Sequence, residues 1–553
     1  MEQAVVSIDQ NCTPFWDTWA KLDVWRHQQK SIVHLIHDTD TVFHDEELSL
    51  EDPSTLKWFY NRSDGFRNYS PNLFYYRYLG RHESFPVKLL ERWQGMKLSG
   101  ISAAMELPTD QLMDQWGVYD KLAVVGSGRV GNGFRIAAGV DTREIVQPMR
   151  ELFDAVKLDM RQFIVTDQQM NNLNRLIDRW KSDFEEAVES DSTRTLSGSI
   201  VAWMRKRYGS AVEFSSTFEY FRVSPKNRDR FSFFIDYLAD YGRYSTAYNA
   251  ALQSCGSSIT PIDTKSGGLP FYGVKRVNGQ LCRYPFVYRE GKLHFNDAEI
   301  TLSSDPWLDV LDLSTKCQIE SIVGKAIPLM MQIRNQSSGN AVTMPMMGSP
   351  YMRVVDQYAD LLYRQDARKN NPNGINKVIM VDFDVYGAME QADFLFRLPP
   401  FLQKEFGCEI IHARDFPRLA RAKSAEAKRV LERCLIGADE RTQVYIEKFP
   451  TLAGTMDELE EKRKKIGKEL SGTSRGTEAY HQLMERFLSV KVEHKRKQKE
   501  FITEKSKFLF QQWHVSGIDY WNHRGSIELW ATALGGEEFY QQIIEKSSLR
   551  RST

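Results

Sequence analysis

Residues 1–48 hold one strand–helix–strand unit, and this unit constrains the fold more than any other feature of the chain. The run AVVSI predicts a first strand and SIVHLI predicts a second one. Between them, Phe15, Trp19, Leu22 and Trp25 recur at the spacing of a helix that packs on a sheet. Two strands joined by a crossover helix form a parallel pair. The segment therefore predicts an α/β fold with a parallel sheet.

Ionisable residues follow two predicted strands. SIVHLI runs into His37, Asp38 and Asp40, and VIMVDFD (378–384) closes on Asp382 and Asp384. Ligands of open parallel sheets bind beyond the carboxyl ends of the strands. Carboxylates there can orient or deprotonate an amine, and an imidazole can act as acid or base near neutral pH. We therefore expect His37, Asp38, Asp40 and Asp384 to be catalytic groups that share one crevice.

An acidic crevice of this kind should also hold a cationic group, because buried carboxylates without partners are costly. Lys21, near the end of the first predicted helix, is the candidate within the chain, and Tyr386 is expected at the same crevice. Two other interpretations stay open. One is a polar strand end without chemistry. The other is a hydrolytic metal site, whose spacing fits no familiar metal motif, built from His37, Asp38, Asp40, His44, Asp45, Asp382 and Asp384.

His34 is predicted to be a hydrogen-bonded core histidine, because it alternates with Ile32 and Ile36 on one strand face. The glycine-rich stretch KLAVVGSGRVGNGFRIAAGVD has Gly126, Gly128 and Gly131 in a G-x-G-x-x-G spacing. A dinucleotide loop would need a helix to open at the third glycine. Since FRIAAGV is strand-like, a glycine-rich hairpin is favoured over a phosphate loop.

Composition limits the class of protein. A chain of 553 residues is too long for a single core, so two or three domains are expected. Its 73 basic residues balance 73 acidic ones, which predicts no nucleic-acid partner. The lack of a long apolar run predicts no membrane span. Six scattered cysteines without a C-x-x-C pair favour a reducing compartment, so a cytoplasmic location is expected.

The sequence predicts two helical regions, one from apolar spacing and one from its charge composition. Leu173, Leu176, Ile177, Trp180 and Phe184 predict one long amphipathic helix between 145 and 188. The second region is rich in Lys, Glu and Arg and contains a short SGTSRG break. This pattern predicts an antiparallel helical hairpin that forms a coiled-coil arm, with residues 455–513 pairing two subunits as a homodimer.

Several segments resemble the bacillithiol-biosynthesis cysteine-adding enzyme family. VVSIDQNCTPFWDTWAK is similar to the family's glutamine turn and G-P-x-Y-T-x-x-K helix, and VHLIHDTD is similar to its second strand and G-E-D-H-D run. GNAVTMPMMGSP looks like its N-V-V-T-R-P-L-M-Q-E, and CEIIHARDFPRL looks like its strand ending in P-R-x. RGSIELWATALGGEEFYQQI resembles its Q-E-R segment and final helix. VIMVDFDVYGAMEQADFLF (378–396) occupies the place of its strand, P-G-E turn and helix. On these matches the resemblance implies substrate-binding roles for Gln10, Asn11, Trp16, Lys21, Tyr386, Arg418 and Glu528.

The family's reaction attaches cysteine to the amine of a glucosamine–malate conjugate. The resemblance therefore implies a ligase-like enzyme that joins an amino acid to a small, sugar-derived amine, together with a nucleotide site for ATP or ADP. Met344 stands where the family has arginine, and Leu529 replaces the arginine after Glu528. Losing an arginine removes a bidentate anion clamp, which predicts altered substrates. A metal-dependent hydrolase and a non-catalytic dimeric binding scaffold remain the alternatives.

The resemblance also implies a Rossmann-like parallel-sheet core with inserted α+β regions and a C-terminal helical arm. We expect residues 1–48 to form the first part of this core and residues 49–190 an α+β insertion. Residues 191–418 should complete the core with a middle β-region, and residues 419–513 should form the coiled-coil arm. Residues 514–553 are expected to be a helical segment that packs on the core.

Overall fold

The computed structural model describes fourteen stretches of the chain. They are residues 5–9, 17–40, 43–44, 57–60, 87–108, 122–126, 129–130, 133–191, 193–257, 259–335, 341–346, 351–363, 378–523 and 525–551. The described residues form a mixed α/β structure with one largely parallel sheet and several antiparallel sheets.

The described strands, in chain order, are β1 Val5–Ile8, β2 Ile32–Ile36, β3 Phe43–His44, β4 Lys57–Tyr60, β5 Leu122–Gly126, β6 Arg129–Val130, β7 Gly133–Arg135, β8 Glu213–Ser216, β9 Gly268–Val277, β10 Gln280–Arg289, β11 Lys292–Phe295, β12 Ala298–Thr301, β13 Ser321–Gly324, β14 Ala341–Pro345, β15 Val378–Asp382, β16 Leu395–Arg397, β17 Ile410–His412 and β18 Ser548–Arg551.

The described α-helices are α1 Thr18–His27, α2 Val87–Gln94, α3 Leu98–Met105, α4 Thr142–Arg161, α5 Asp167–Ser190, α6 Leu196–Tyr208, α7 Thr217–Tyr220, α8 Ser232–Ala239, α9 Tyr241–Ser254, α10 Pro306–Cys317, α11 Ala326–Arg334, α12 Tyr351–Tyr363, α13 Val385–Met389, α14 Pro400–Phe406, α15 Phe416–Ile436, α16 Ala438–Lys448, α17 Pro450–Ser471, α18 Glu478–Ser516 and α19 Ile527–Lys546.

The chain divides into two compact units built from non-adjacent segments. The first comprises residues 1–60, 121–394 and 522–553, and the second comprises residues 61–120 and 395–521. The first unit contains the parallel sheet, in the strand order β18-β15-β14-β1-β2-β8. In this sheet β8, β2, β1, β14 and β15 run parallel, and β18 pairs antiparallel with β15. The expected parallel pairing of the first two strands is confirmed.

Helices cover both faces of the parallel sheet. Val6, Leu35 and Val342 point to one face and join an apolar core with α8, α9 and α12. The opposite face carries Ser7, His34 and Thr343, because successive side chains of a strand alternate. There Trp25 of α1 donates a hydrogen bond from its indole nitrogen to Thr343 Oγ1 at 3.0 Å. A sheet buried on both faces explains why its strands are almost continuously apolar.

An aromatic cluster packs α1, α5 and α6 together on the α1 face of the sheet. The ring centroids of Trp19 and Trp180 lie 4.7 Å apart, and those of Trp19 and Trp203 lie 5.1 Å apart. Trp180 belongs to α5, which starts at a capping box between Thr166 and Gln169. The prediction of one helix from 145 to 188 is therefore wrong. The capping box begins a new helix, so α4 and α5 are separate.

A second, antiparallel sheet of the first unit contains β6, β7 and β9–β13. Strands β6 and β7 pair antiparallel within the glycine-rich stretch, which agrees with the predicted hairpin. In the second unit, α17 and α18 are joined by a short connection and pack on one another. That unit has its own apolar core, which includes Trp93, Tyr445, Phe508 and Trp513.

Candidate functional site

The carboxyl edge of the parallel sheet is where most of the expected catalytic groups lie. The connection from β1 to β2 passes through α1 on one face, and the connection from β14 to β15 passes through α12 on the other. Neighbouring strands whose connections leave to opposite faces open a crevice between their carboxyl ends. The topology therefore predicts a crevice between β1 and β14. Gln10, Asn11 and Trp16 follow β1, but they fall outside the described residues.

Buried polar groups surround the end of β1. Lys21 is buried, and its ammonium donates a hydrogen bond to the carbonyl of Ile8 at 2.9 Å. Asp9 Oδ1 accepts the backbone N–H of His37 at 2.7 Å, which ties the end of β2 to the end of β1. Lys21 therefore lies at the predicted crevice, where it holds a strand end.

His34 is the core histidine that its alternation predicts. It is fully buried, and its Nδ1 lies 2.9 Å from Ser7 Oγ. Its Nε2 is 3.9 Å from Asp9 Oδ2, beyond a good hydrogen bond. Burial lowers the pKa of His34 and outweighs the opposing effect of Asp9. His34 is therefore neutral near pH 7 and belongs to the interior of the sheet.

Asp38 is buried between β2 and the start of α7. Its Oδ1 accepts hydrogen bonds from Thr217 Oγ1 and from the backbone N–H of Phe218, both at 2.9 Å. Its Oδ2 is buried and has no hydrogen-bond partner among the described residues. Burial raises the pKa of Asp38, and hydrogen bonds such as that from Phe218 act in the opposite direction. Asp38 thus combines a positioning role with a carboxyl group that holds a proton more readily than usual.

Asp40 is the accessible acid of this segment, with 37% of its side chain exposed. Arg283 of β10 lies beside it, with its Nη1 3.5 Å from Asp40 Oδ1 and 3.1 Å from the carbonyl of Thr39. The backbone N–H of Ala137 donates to the carbonyl of Asp40 at 3.0 Å. The antiparallel sheet and its connections therefore hold the end of the β2 segment in place.

A second polar cluster lies at the end of β15. Asp382 Oδ1 is 3.0 Å from His523 Nδ1, and Asp382 Oδ2 is 2.6 Å from Arg550 Nη2. The hydrogen bond from His523 is the main cause of the lowered pKa of Asp382, with its charge and that of Arg550 adding to the effect. A carboxylate at Nδ1 favours the tautomer in which Nδ1 carries the proton and Nε2 is the acceptor.

Asn522 and α13 support this pair. The amide nitrogen of Asn522 lies 3.4 Å from His523 Nε2, and its Oδ1 accepts the backbone N–H of Tyr386 at 2.6 Å. His523 is the more accessible residue of the Asp382–His523 pair, with 17% of its side chain exposed against 4% for Asp382. The sequence interpretation identified Asp382 as a strand-end acid but missed His523.

Asp384 sits in a tight turn between β15 and α13. Its backbone has a positive φ of 44°, in the left-handed region. A Cβ built on Gly387 would come within 2.3 Å of Asp384 Oδ2, so the carboxylate packs closely against the glycine. The neighbouring Tyr386 is buried. Both residues lie at the expected strand end, on the β15 side of the sheet.

The two clusters lie at the same edge of the sheet, at the ends of strands that are not neighbours. Strands β1 and β14 separate β2 from β15, which places the two strand ends about 14 Å apart at the usual strand spacing. Asp38 contacts the β8 side, away from β15. One polar cluster therefore lies on each side of the crevice that the topology predicts between β1 and β14.

Glu528 is buried in an ion network on the α1 face. Its carboxylate accepts hydrogen bonds from Arg207 Nη1 at 2.9 and 2.8 Å and from Arg179 at 3.1 Å. Arg207 also pairs with Asp23 Oδ2 at 2.7 Å, and Tyr540 donates to the same oxygen at 2.6 Å. Burial raises the pKa of Glu528, and the charge of Arg207 partly offsets that effect. These contacts join α1, α6 and α19.

Arg418 belongs to the second unit, where it is exposed in the first turn of α15. β17, which precedes it, pairs antiparallel with β16 in that unit rather than joining the parallel sheet. Of the expected substrate-binding residues, Lys21 and Tyr386 therefore lie at the carboxyl edge of the parallel sheet.

Nucleotide and metal binding have separate structural requirements. After Gly131 the described chain continues as β7 and not as a helix, so the glycine-rich stretch does not fit a phosphate loop. Among the residues that the structure describes, no three His, Cys, Asp or Glu side chains are grouped to hold a metal ion. The side chain of His44 and all of Asp45 lie outside the described residues.

No helix in the described ranges is long and apolar enough to span a membrane.

Comparison with protein-family models, with curated proteins and with solved structures finds no match to this chain. The resemblance to the bacillithiol-biosynthesis cysteine-adding enzyme family therefore stays a prediction. The class of protein that the structure itself defines is a mixed α/β protein with polar groups at the carboxyl edge of a parallel sheet.

Proposed function

We propose that the chain is a ligase-like enzyme that joins an amino acid, cysteine by family resemblance, to the amine of a small, sugar-derived acceptor. The observation that carries this proposal is the Asp382–His523 pair at the carboxyl end of β15. An amine can attack an activated carboxyl only after it has lost a proton. His523 Nε2 is the proton acceptor, and Asp382 stabilises the imidazolium that forms.

The β2 end supplies the other part of the proposed site. Asp40 is a partly exposed carboxylate that can bind a substrate ammonium, and His37 precedes it by three residues in the same segment. Asp38 holds this segment against α7 through buried hydrogen bonds. Asp384 shapes the turn that carries Tyr386 and, through Asn522, supports His523. A substrate that spans the β1–β14 crevice would meet both ends.

The proposed core is Rossmann-like, and the proposed assembly is a homodimer through a coiled-coil arm at residues 455–513. Support comes from Leu488 and Val492, which lie one turn apart on α18 and are 50% and 68% exposed. Apolar side chains on an otherwise charged helix suit burial against a second subunit.

A cytoplasmic location belongs to the same proposal. It is supported by the free thiols of the described cysteines.

A non-catalytic binding scaffold is the second candidate. It is favoured by the partners of the expected site residues. Asp38 caps the start of α7, and Glu528 is paired with Arg207 and Arg179. Hydrogen bonds and ion pairs of this kind stabilise the fold, so they give these side chains a structural role without catalysis.

The test is product formation measured by mass spectrometry. The purified protein is incubated with ATP, cysteine and a glucosamine–malate conjugate, and then with other amino acids. We expect His523→Gln to lower the rate by about 100-fold or more, the usual loss for a general base. His494→Gln is the matched control, because His494 Nε2 also lies near a carboxylate, 3.7 Å from Glu460, but in the second unit.

The control variant should retain the wild-type rate. Equal rates for the wild type and His523→Gln would contradict the proposed role of His523. No condensation product with any amino acid would contradict the ligase-like function and favour the scaffold.

A further inference from the structure

An open cleft lies on the antiparallel sheet of the first unit, outside the proposed proton-transfer site. Its volume is about 330 Å³, which suits a small molecule. The loop at residues 259–263 forms one wall of the cleft, and the start of β9 forms its floor. Lys325, the N-cap residue of α11, also lines it. Asn249 fixes the loop, accepting the N–H of Ile262 at 2.7 Å and donating to its carbonyl at 2.9 Å. Hydrogen bonds from Asn249 therefore hold this wall of the cleft in place.

Two cations lie near one tyrosine ring, and one of them, Lys325, lines the cleft. The Lys325 ammonium lies 5.4 Å from the centre of the Tyr272 ring, and the Arg283 guanidinium lies 4.4 Å from it. The strand register agrees, because Tyr272 is opposite Pro285 on β10 and Val323 on β13. Arg283 lies two residues from Pro285 on β10, so the side chains of Tyr272 and Arg283 share one sheet face, and Lys325 follows directly after the end of β13. Pro270, which lines the cleft, lies on the same face.

This face carries two cations, Arg283 and Lys325, and Asp263 is the carboxylate that lines the cleft beside it. Lys325 is exposed and forms no ion pair with a described carboxylate. Arg283 is bound on one side, to the carbonyl of Thr39 and beside Asp40. Its Nε is buried and has no hydrogen-bond acceptor among the described residues. By contrast, Lys292 of the same sheet pairs with Glu299 at 2.6 Å.

We propose that Lys325 and Arg283 bind the anionic group of a small molecule beside Tyr272, and that the cleft holds the rest of the molecule. The group is a carboxylate or a phosphate, which share the oxygen acceptors that a guanidinium and an ammonium recognise. Arg283 also borders Asp40, so the bound anion would lie next to the end of the β2 segment. The inference stands apart from the ligase-like activity, because it concerns binding alone.

The test is titration of the full-length protein with two probes, inorganic phosphate and succinate, at constant low ionic strength. Binding is measured by isothermal titration calorimetry. We expect at least one probe to bind, and Lys325→Gln to weaken that probe about tenfold or more, the usual effect of losing a hydrogen bond to a charged group. The probe that binds more tightly identifies phosphate or carboxylate as the natural group.

Lys292→Gln is the matched control, since it removes an exposed lysine of the same sheet that already has a carboxylate partner. Arg283→Gln is the second test variant, with circular dichroism to check its fold. Absence of binding by the wild type, or equal weakening by Lys325→Gln and Lys292→Gln, would overturn the proposal. Weakening by Lys325→Gln and Arg283→Gln, with Lys292→Gln unchanged, would support it.

Discussion

The substitution Glu528→Gln should destabilise the first unit, because Glu528 completes a buried ion network. Arg207 Nη1 donates to both oxygens of Glu528, and Arg207 Nη2 donates to Asp23. Burial alone would lower the pKa of Arg207, but the charges of Glu528 and Asp23 outweigh it and raise that pKa well above its usual range. The guanidinium therefore stays charged and needs its carboxylates.

The magnitude follows from what the substitution leaves behind. Glutamine keeps one acceptor oxygen for Arg207 but loses the charge, and Asp23 remains 2.7 Å from the guanidinium. Breaking a buried ion pair costs roughly 3–5 kcal/mol. We expect a loss of about 3 kcal/mol in the free energy of unfolding, at the lower end of that range, because Asp23 still offsets part of the charge.

Urea unfolding followed by tryptophan fluorescence is the assay. Arg207 lies 4.8 Å from the centre of the Trp19 ring, so the signal reports on this region. Glu461→Gln is the matched control, since Glu461 forms an exposed pair with Lys464 at 2.9 Å. The control should unfold at the wild-type urea midpoint. A wild-type midpoint for Glu528→Gln as well would refute the argument that this network stabilises the first unit.

Four further predictions concern the site, its pH dependence, metal content and assembly. Asp38→Asn should abolish turnover yet change the urea midpoint little, because burial already disfavours the charged form; a strong loss of stability would argue against this. The lowered pKa of Asp382 stabilises the fold above its ordinary pKa of 3.8, and this stability is lost as the pH falls through the lower pKa of the folded state. Urea midpoints of Asp382→Asn should therefore depend less on pH below about 4 than those of the wild type. Elemental analysis should find no stoichiometric zinc, manganese or iron, whereas a tightly bound metal would favour the hydrolase alternative. Light scattering should give a dimer of the 64.1 kDa chain, and Leu488→Glu with Val492→Glu should give a monomer; a monomeric wild type would contradict the proposed assembly.

The first strand–helix–strand unit could be predicted because local pattern and tertiary environment agree there. Trp19 and Leu22 are buried as their helical spacing indicates, and β1 and β2 pair in parallel. His34 follows the same logic, since strand alternation alone assigns it to the interior. The break between α4 and α5 also had a local signal, because Thr166 and Gln169 form the S/T-x-x-E/Q pattern of a capping box.

The partners of the site residues could not be predicted, because they come from distant parts of the chain. His523 is 141 residues from Asp382, and Arg207 is 321 residues from Glu528. Sequence spacing carries no information about which loops meet across a sheet or which helices pack on it. It therefore identifies acids at strand ends, but not the bases and cations that give each acid its role.

The central claim is that the carboxyl edge of the parallel sheet binds the substrates. Crystals of the full chain soaked with cysteine and a glucosamine–malate conjugate test it most directly. We predict electron density for the ligand beyond the ends of β1 and β14, in contact with Asp40 or His523. Ligand density elsewhere on the molecule, with this edge occupied by water alone, would contradict the account.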